Sequence, residues 1–391
     1  MMHPGQMAGR CHNPAMSLLQ RAPRLSVADA VRLARELYGL EAVAAPLPSE
    51  RDQNFLLVST AGTGGLERAR YVLKIANATE DRGMLEAQNA AMAHVADPPT
   101  RLRRFGGTGR MAICPLALPT ISGETIAVVP GSAHFVRLVT YLAGIPLAEV
   151  SVRPPVLYES LGTVVGRLDA ALADFDHPAI HRDFHWDLAR AGAVVRDHLP
   201  RVRDVRERRL IERISQAAFQ AIETHESSFR RSAVHHDAND WNVLVGNADP
   251  RLSTPDAGLP TPDDRLSTPE VVGIIDFGDM VRSWTVADPA VAVAYAMLDA
   301  VDPLAVADAV VRGYHAEYAL REEEHAAVFP LACLRLCMSA CIAAWQQEQR
   351  SGDDYLAVSQ GPIQRTLPVL ADLLDRRTQP GHMGPPDEVN R

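Results

Sequence analysis

Apolar and polar positions change period along this chain, and the change marks its parts. From Ser26 to Gly39 they recur at helical spacing, with Val27, Val31, Ala34 and Tyr38 near one face. Ser26 with Asp29 three residues on predicts a capped helix start, and Gly39 predicts the stop. Strand-like runs follow at Ala42 to Pro46, Phe55 to Ser59 and Tyr71 to Ile75, with Ala61-Gly62-Thr63-Gly64-Gly65 read as a hairpin turn before the last. Thr79 to Val95 returns to helical spacing through Leu85, Met92 and Val95. Strand-like runs at Met111 to Leu118 and Ala133 to Leu142 complete this alternating part.

Beyond Pro146 the helical period dominates. Pro146 to Asp174 carries Leu157, Leu161, Val164, Val165 and Leu168 at helical spacing. Arg201 to Arg231 reads as a long charged helix with Val202, Val205, Ile214, Ala218, Ala221 and Ile222 inside and a salt-bridged face outside. Two short β-branched strands interrupt the helices, at Val243 to Val245 and Val271 to Ile275. Asp288-Pro289 predicts a helix start with Asp288 as its cap, and the nearly all-apolar Val291 to Leu298 should be buried. Helices near Pro303 to Tyr318, Ala326 to Gln347 and Gln360 to Leu374 follow; the second is the most apolar run. Pro330 and Arg335 interrupt it, so it reads as a buried core helix and not a membrane span.

Residues 1–24 are irregular, without the continuous apolar core of a secretory signal, and 376–391 form a polar tail. The stretch 247–270 is rich in Pro and Asp and contains Arg-Leu-Ser-Thr-Pro twice, at 251–255 and 265–269; it is expected to be a mobile insertion.

Composition narrows the classes. A net charge of −9 argues against a nucleic-acid partner. Five cysteines, an odd number without close-set pairs, point to a reducing compartment and a cytoplasmic protein. Cys333, Cys337 and Cys341 fall four apart but lack a fourth ligand, and are read as small apolar core residues.

The chemistry concentrates between Ala233 and Asp279. His235, Asp237 and Asn242 stand at H-x-D-x-x-x-x-N on a loop that runs into Val243, and the strand Val271 to Ile275 ends in Asp276-Phe277-Gly278. Two strands delivering an Asp, an Asn and a second Asp to one end suit metal-assisted phosphoryl transfer. Asp237 would orient the attacking hydroxyl and accept its proton, while Asn242 and Asp276 hold Mg²⁺ on nucleotide phosphates. Mg²⁺ takes hard oxygen ligands and keeps several waters, so one carboxylate and one amide suffice from the protein. Asp and Asn also populate ordinary turns, but both halves in this order, each joined to a β-branched strand, weigh against turns alone.

Two decoys fall away. His181-Arg182-Asp183 spells a kinase catalytic triplet, yet Leu188 stands where Asn should follow. His177, His181 and His185 are four apart, but Pro178 disfavours one continuous helix; a packed aromatic segment with Phe184 and Trp186 is the preferred reading. Lys74, alone on an apolar strand, is either edge decoration or a phosphate-binding cation.

His235-His236-Asp237 with Asn242, followed by Ile275-Asp276-Phe277-Gly278-Asp279, resembles the aminoglycoside phosphotransferase and choline kinase superfamily of small-molecule kinases. The run Phe277 to Met280 and its flanks are most similar to its hydroxylysine kinase-like members. The resemblance spans roughly Leu25 to Leu374. It implies an α+β, protein-kinase-like two-lobed fold: a small antiparallel β lobe with one helix, and a larger, mainly helical lobe. Residues 25–144 would form the nucleotide-binding lobe and hinge, and 145–375 the catalytic and substrate-binding lobe.

The same resemblance implies that Lys74 clamps the phosphates, held by Glu86 with Glu80 as competitor, and that backbone groups of Thr140, Tyr141 and Leu142 meet the purine of ATP or GTP. His235 would brace the catalytic loop; Asp279 would bind substrate or support the metal. The implied partners are a nucleotide and a small-molecule hydroxyl acceptor, an amino alcohol such as 5-hydroxylysine, with no nucleic acid and no membrane, in a monomer or homodimer. An aminoglycoside acceptor, or a non-catalytic nucleotide-binding module, are the alternatives. The connection Ser49 to Asn54 lacks the glycines of a protein-kinase phosphate loop, which leaves Gln53 and Asn54 at that place. A protein kinase is disfavoured further because Asp288-Pro289 follows Asp-Phe-Gly too closely for an activation segment.

Overall fold

The computed structural model describes residues 22–49, 51–60, 69–96, 113–247, 268–349 and 360–378. The turn read at 61–65, most of the insertion, and nearly all of both termini lie outside the described residues. The chain separates into two compact units, Met1–Arg82 with Leu118–Val139, and Gly83–Ala117 with Thr140–Arg391.

In the first unit, helix α1 (Val27–Tyr38) begins with a reciprocal capping box. Ser26 Oγ accepts the Asp29 N–H at 3.1 Å, and the Asp29 carboxylate accepts the Ser26 N–H at 3.0 Å. It ends on Gly39 in the left-handed region, at φ 62°. Its inner face, however, is Ala30, Leu33 and Ala34, while Val27 is 43% exposed. The expected stripe omitted Leu33, a large apolar side chain in mid-helix, and so was rotated about the axis.

Strands β1 (Ala42–Leu47), β2 (Gln53–Ser59) and β3 (Arg70–Ile75) pair antiparallel in sequence order. With β4 (Ala117–Leu118), β5 (Ala127–Val128) and β6 (Phe135–Thr140) they make a sheet ordered β1–β2–β3–β6–β4, with β5 also on β6. Alternation along the strands turns Phe55, Leu57, Leu73, Ile75, Val136 and Leu138 into one core with Leu33. Gln53, read as a phosphate neighbour, is a structural tie instead: its amide makes two 2.8 Å bonds to the N–H and C=O of Leu25.

The second unit is mainly helical. Helix α2 (Arg82–Ala96) starts later than expected, and α3 (Pro155–Leu172) opens at Pro155 and not Pro146. Proline at a first helical position sets that start, and the residues before it form β7 (Ile145–Pro146) and a tight turn. After α4 (Ala191–His198), helix α5 (Val205–Ile222) is capped by Asp204 and stops well short of Arg231. Four strands follow: β8 (Arg231–Val234), β9 (Val243–Asn247), β10 (Pro269–Ile274) and β11 (Val281–Trp284). Of these, β8 and β11 have no counterpart in the periodicity reading; each is only four residues long.

Helices α6 (Ala287–Ala296), α7 (Pro303–Glu317), α8 (Glu322–Gln349) and α9 (Gln360–Thr378) complete the unit. α3 and α7 cross backbone against backbone: a Cβ on Gly162 would meet the Val310 carbonyl, and one on Gly313 the Glu159 carbonyl. α6 is buried at every position. The segment Glu322–Glu348 is long and apolar enough to cross a membrane, but 94% of its most apolar window is buried within the protein, as a core helix requires. Cys333, Cys337 and Cys341 are buried on it and form no disulfide.

Candidate active site

Two ladders build the site. β8 pairs antiparallel with β11, Val234 opposite Val281, and β9 with β10, Val243 opposite Ile274. The loop 235–242 joins β8 to β9, and the loop 275–280 joins β10 to β11, so both loops emerge at the same end of the paired strands. A 2.9 Å bond from the Ile275 N–H to the Asn242 carbonyl adds one more rung. Asn242 and Asp276 are thereby neighbours, although far apart in sequence.

Asp237 is the most heavily bonded group of the first loop. Its Oδ1 accepts from Asn239 Nδ2 at 2.9 Å and Arg335 Nη2 at 3.3 Å, and its Oδ2 accepts from Asn242 Nδ2 at 2.7 Å. The Asn242 amide nitrogen also donates to the Asp237 carbonyl at 3.0 Å. Burial pushes the Asp237 carboxyl well above its usual range, the negative charge of Asp279 adds to that, and the Arg335 guanidinium pulls the other way.

Beneath Asp237 the loop is locked by groups from elsewhere. The N–H groups of His235 and His236 donate to the two oxygens of Asp288, at 2.7 and 2.6 Å, and all three residues are buried. His236 sits at φ 67°, a left-handed conformation that its partners must hold. Its Nε2 accepts the Leu188 N–H at 2.9 Å and lies 3.1 Å from the Trp186 carbonyl oxygen. Burial first, then the charge of Arg335, brings the imidazole down to about 3, so it is neutral at physiological pH. His235 Nδ1 accepts the Asp237 N–H at 3.3 Å, and its ring stands edge-on to Phe277 with centroids 4.7 Å apart. Burial lowers its pKa too.

Asp288 corrects the reading of a helix cap. α6 begins at Ala287, its capping position is Val286 with no side-chain bond, and the Asp288 carboxylate holds the 235–242 loop instead. An Asp before Pro at a helix start carries the same sequence signal in either role.

The second loop is more self-contained. Asp276 adopts φ 66°, its Oδ1 accepts the Gly278 N–H at 3.2 Å, and Phe277–Asp279 forms a single tight turn. Arg182 donates to the Gly278 carbonyl at 2.8 Å while its guanidinium lies 4.2 Å over the Phe184 ring. Asp187 accepts the Ser283 hydroxyl at 2.5 Å. The segment containing the rejected triplet is thus a brace: Arg182 and Asp187 touch the second loop and β11, while Trp186 and Leu188 touch the first. Its histidines diverge, His177 capping a short turn through Ala179 and His181 pairing with Asp176 at 2.6 Å. Among the described residues no group of three His, Cys, Asp or Glu is placed to hold a metal alone.

The remaining predicted residues stand on other elements. Lys74 is on β3 opposite Asn54, half-buried between buried Leu73 and Ile75 in the first unit. Glu86 is exposed on α2, which belongs almost wholly to the second unit. The Thr140 N–H donates to the Leu116 carbonyl at 2.9 Å and its hydroxyl oxygen accepts the Leu116 N–H at 2.9 Å, with Tyr141 and Leu142 following.

Residues 43–254, more than half of the 391-residue chain, match the family described as "Phosphotransferase enzyme family". The chain belongs to that family. This phosphotransferase is 29% identical to hydroxylysine kinase of Bos taurus, over 86% of its own length and 87% of the relative's. It is 30% identical to hydroxylysine kinase of Xenopus laevis, over 94% and 95%. In structure it is similar to a microcompartment-associated aminopropanol kinase, at a TM-score of 0.60 and 17% identity, covering 90% of this chain and 97% of that one. A choline kinase from Cryptosporidium parvum Iowa II matches at 0.54 and 10% identity, with coverages of 90% and 97%. These likenesses establish the two-lobed kinase-like fold, with an antiparallel sheet in the small lobe and helices dominating the larger.

Proposed function

We propose that this phosphotransferase moves the γ-phosphoryl group of ATP or GTP to the hydroxyl of a small amino alcohol of the hydroxylysine type. One observation carries the reading: Asp237, Asn242 and Asp276 converge at one end of two strand ladders, in a chain aligned almost end to end with hydroxylysine kinases. Asp237 takes the hydroxyl proton as the acceptor oxygen bonds the γ-phosphorus and the bridging oxygen leaves with the nucleoside diphosphate.

The donor set fits Mg²⁺. Asp276 offers an exposed carboxylate, and Asn242, with its amide nitrogen turned onto Asp237, offers its side-chain oxygen. Two hard oxygen donors suit a cation that completes its shell with water and phosphate, and when bound it would neutralise charge on the transferring group. By the family resemblance, Lys74 is assigned to the phosphates and the Tyr141–Leu142 backbone to the base. His235 braces the loop, and Asp279 supplies further negative charge for the acceptor's ammonium or the metal. The buried cysteines, which form no disulfide among the described residues, accord with a cytoplasmic protein.

The test is a panel of hydroxy amino acids, amino alcohols and aminoglycosides, each with ATP and with GTP. Turnover of aminoglycosides alone would overturn the acceptor class. Asp237→Asn is expected to lower kcat by about 10³-fold or more while Mg-nucleotide binding survives, and unaltered turnover in that variant would refute the assigned base.

A further inference from the structure

We propose that Arg335, from the core helix α8, is a positioning residue for phosphoryl transfer: it fixes the Asp237 carboxylate so that Oδ2 is the oxygen presented to the acceptor hydroxyl. This rests on the reading of Asp237 as the base.

Arg335 is 2% exposed and sits inside the long, largely buried core helix α8, where an unpaired guanidinium would be very unfavourable. Its partners explain its presence. Nη2 donates to Asp237 Oδ1 at 3.3 Å, Nη1 donates to the Trp186 carbonyl at 3.3 Å, and the guanidinium lies 4.6 Å over the Trp186 ring. The Tyr295 ring centroid lies 5.8 Å from the guanidinium. The planar fork therefore bridges Asp237 Oδ1 to the same Trp186 carbonyl that lies beside His236, and this anchored bond, with those from Asn239 and Asn242, restrains rotation of the Asp237 side chain.

A carboxylate has roughly four lone-pair directions. Asn239 and Arg335 occupy both on Oδ1, and Asn242 occupies one on Oδ2. The direction left over belongs to Oδ2. The proton of the acceptor hydroxyl passes to that lone pair as the O–H bond breaks and the O–P bond forms, while the γ-phosphorus parts from its bridging oxygen. Without Arg335 the carboxylate rotates, and both oxygens compete for the donors.

The experiment measures kcat and KM for acceptor and nucleotide in Arg335→Met, Arg335→Lys, Asp237→Asn and the Asp237→Asn/Arg335→Met double variant. Arg335→Met is expected to lose on the order of 10²-fold in kcat, the scale of a small misplacement of a reacting group, with either KM within about threefold. Arg335→Lys keeps the buried charge but not the fork, and is expected to lose about tenfold in kcat. In the Asp237→Asn background the same change to Met is expected to add no further loss, because its effect runs through that carboxylate.

A kcat within about threefold of the parent in Arg335→Lys overturns the proposal, and decides it even if Arg335→Met does not fold. So does a loss confined to KM, or one that adds fully to that of Asp237→Asn. Retained turnover in Asp237→Asn alone would instead remove the base assignment, which separates the two failures.

Discussion

The two loops at the end of the strand ladders lie side by side, yet they are held in different ways. Loop 235–242 is fixed by side chains and backbone from three distant places: Asp288 of α6, the Trp186–Leu188 stretch, and Arg335 of α8. Loop 275–280 is built on the Asp276 turn and the strands on either side, with Arg182 bonding the Gly278 carbonyl and Phe277 packed edge-on to His235. The difference fits the tasks proposed for them. A base must meet a proton at one angle, and angular control needs several converging anchors. A metal-binding carboxylate can swing with its ion, so a short turn suffices.

The contrast can be broken experimentally. Asp288→Ala should have the largest effect, since two buried N–H groups lose charged acceptors at once. We expect about 3–5 kcal/mol less stability in urea unfolding, together with a collapse of turnover. Parent-like stability would mean that water or another acceptor replaces Asp288.

Next comes acid sensitivity. His236 is held near pKa 3 in the folded protein against 6.5 in the free residue, so the unfolded chain binds its proton first. Its contribution is fully present above about pH 6.5 and is lost as pH falls toward 3, at a slope of about 1.4 kcal/mol per pH unit. His236→Gln should flatten the decline of unfolding free energy across that window; an identical acid slope would show that other groups set it. The smallest effect belongs to the second loop. Arg182→Ala removes at least the bond to the Gly278 carbonyl and the Phe184 ring contact, at about 1–2 kcal/mol, with the nucleotide KM rising more than kcat falls. A loss in that variant as deep as in Asp288→Ala would erase the distinction between the loops.

What was legible in the sequence was local. The Ser26–Asp29 box and Gly39 stop of α1 are contacts within a turn or two, and both are present. The apolar run of α8 showed itself as core through length and interrupting polar residues. Short elements were not legible: β8 and β11 are four residues each, too few for a period to declare itself, and exist because they pair with each other. The inner face of α1 was misjudged because helical spacing leaves several adjacent stripes nearly equivalent until a sheet selects one.

The sequence by itself determined which chemical groups exist and how they are spaced: an Asp and an Asn on one loop, an Asp on another, each next to a strand that fixes its exit. Tertiary structure alone decided what those groups do to one another. Asp288 became a clasp and not a cap, the Arg182–Leu188 stretch, whose triplet Leu188 had already ruled out, became a brace, and Arg335 a partner of Asp237 across 98 residues. Such pairings leave no trace in local pattern, because a hydrogen bond depends on distance in space, and the packing of whole helices sets that distance.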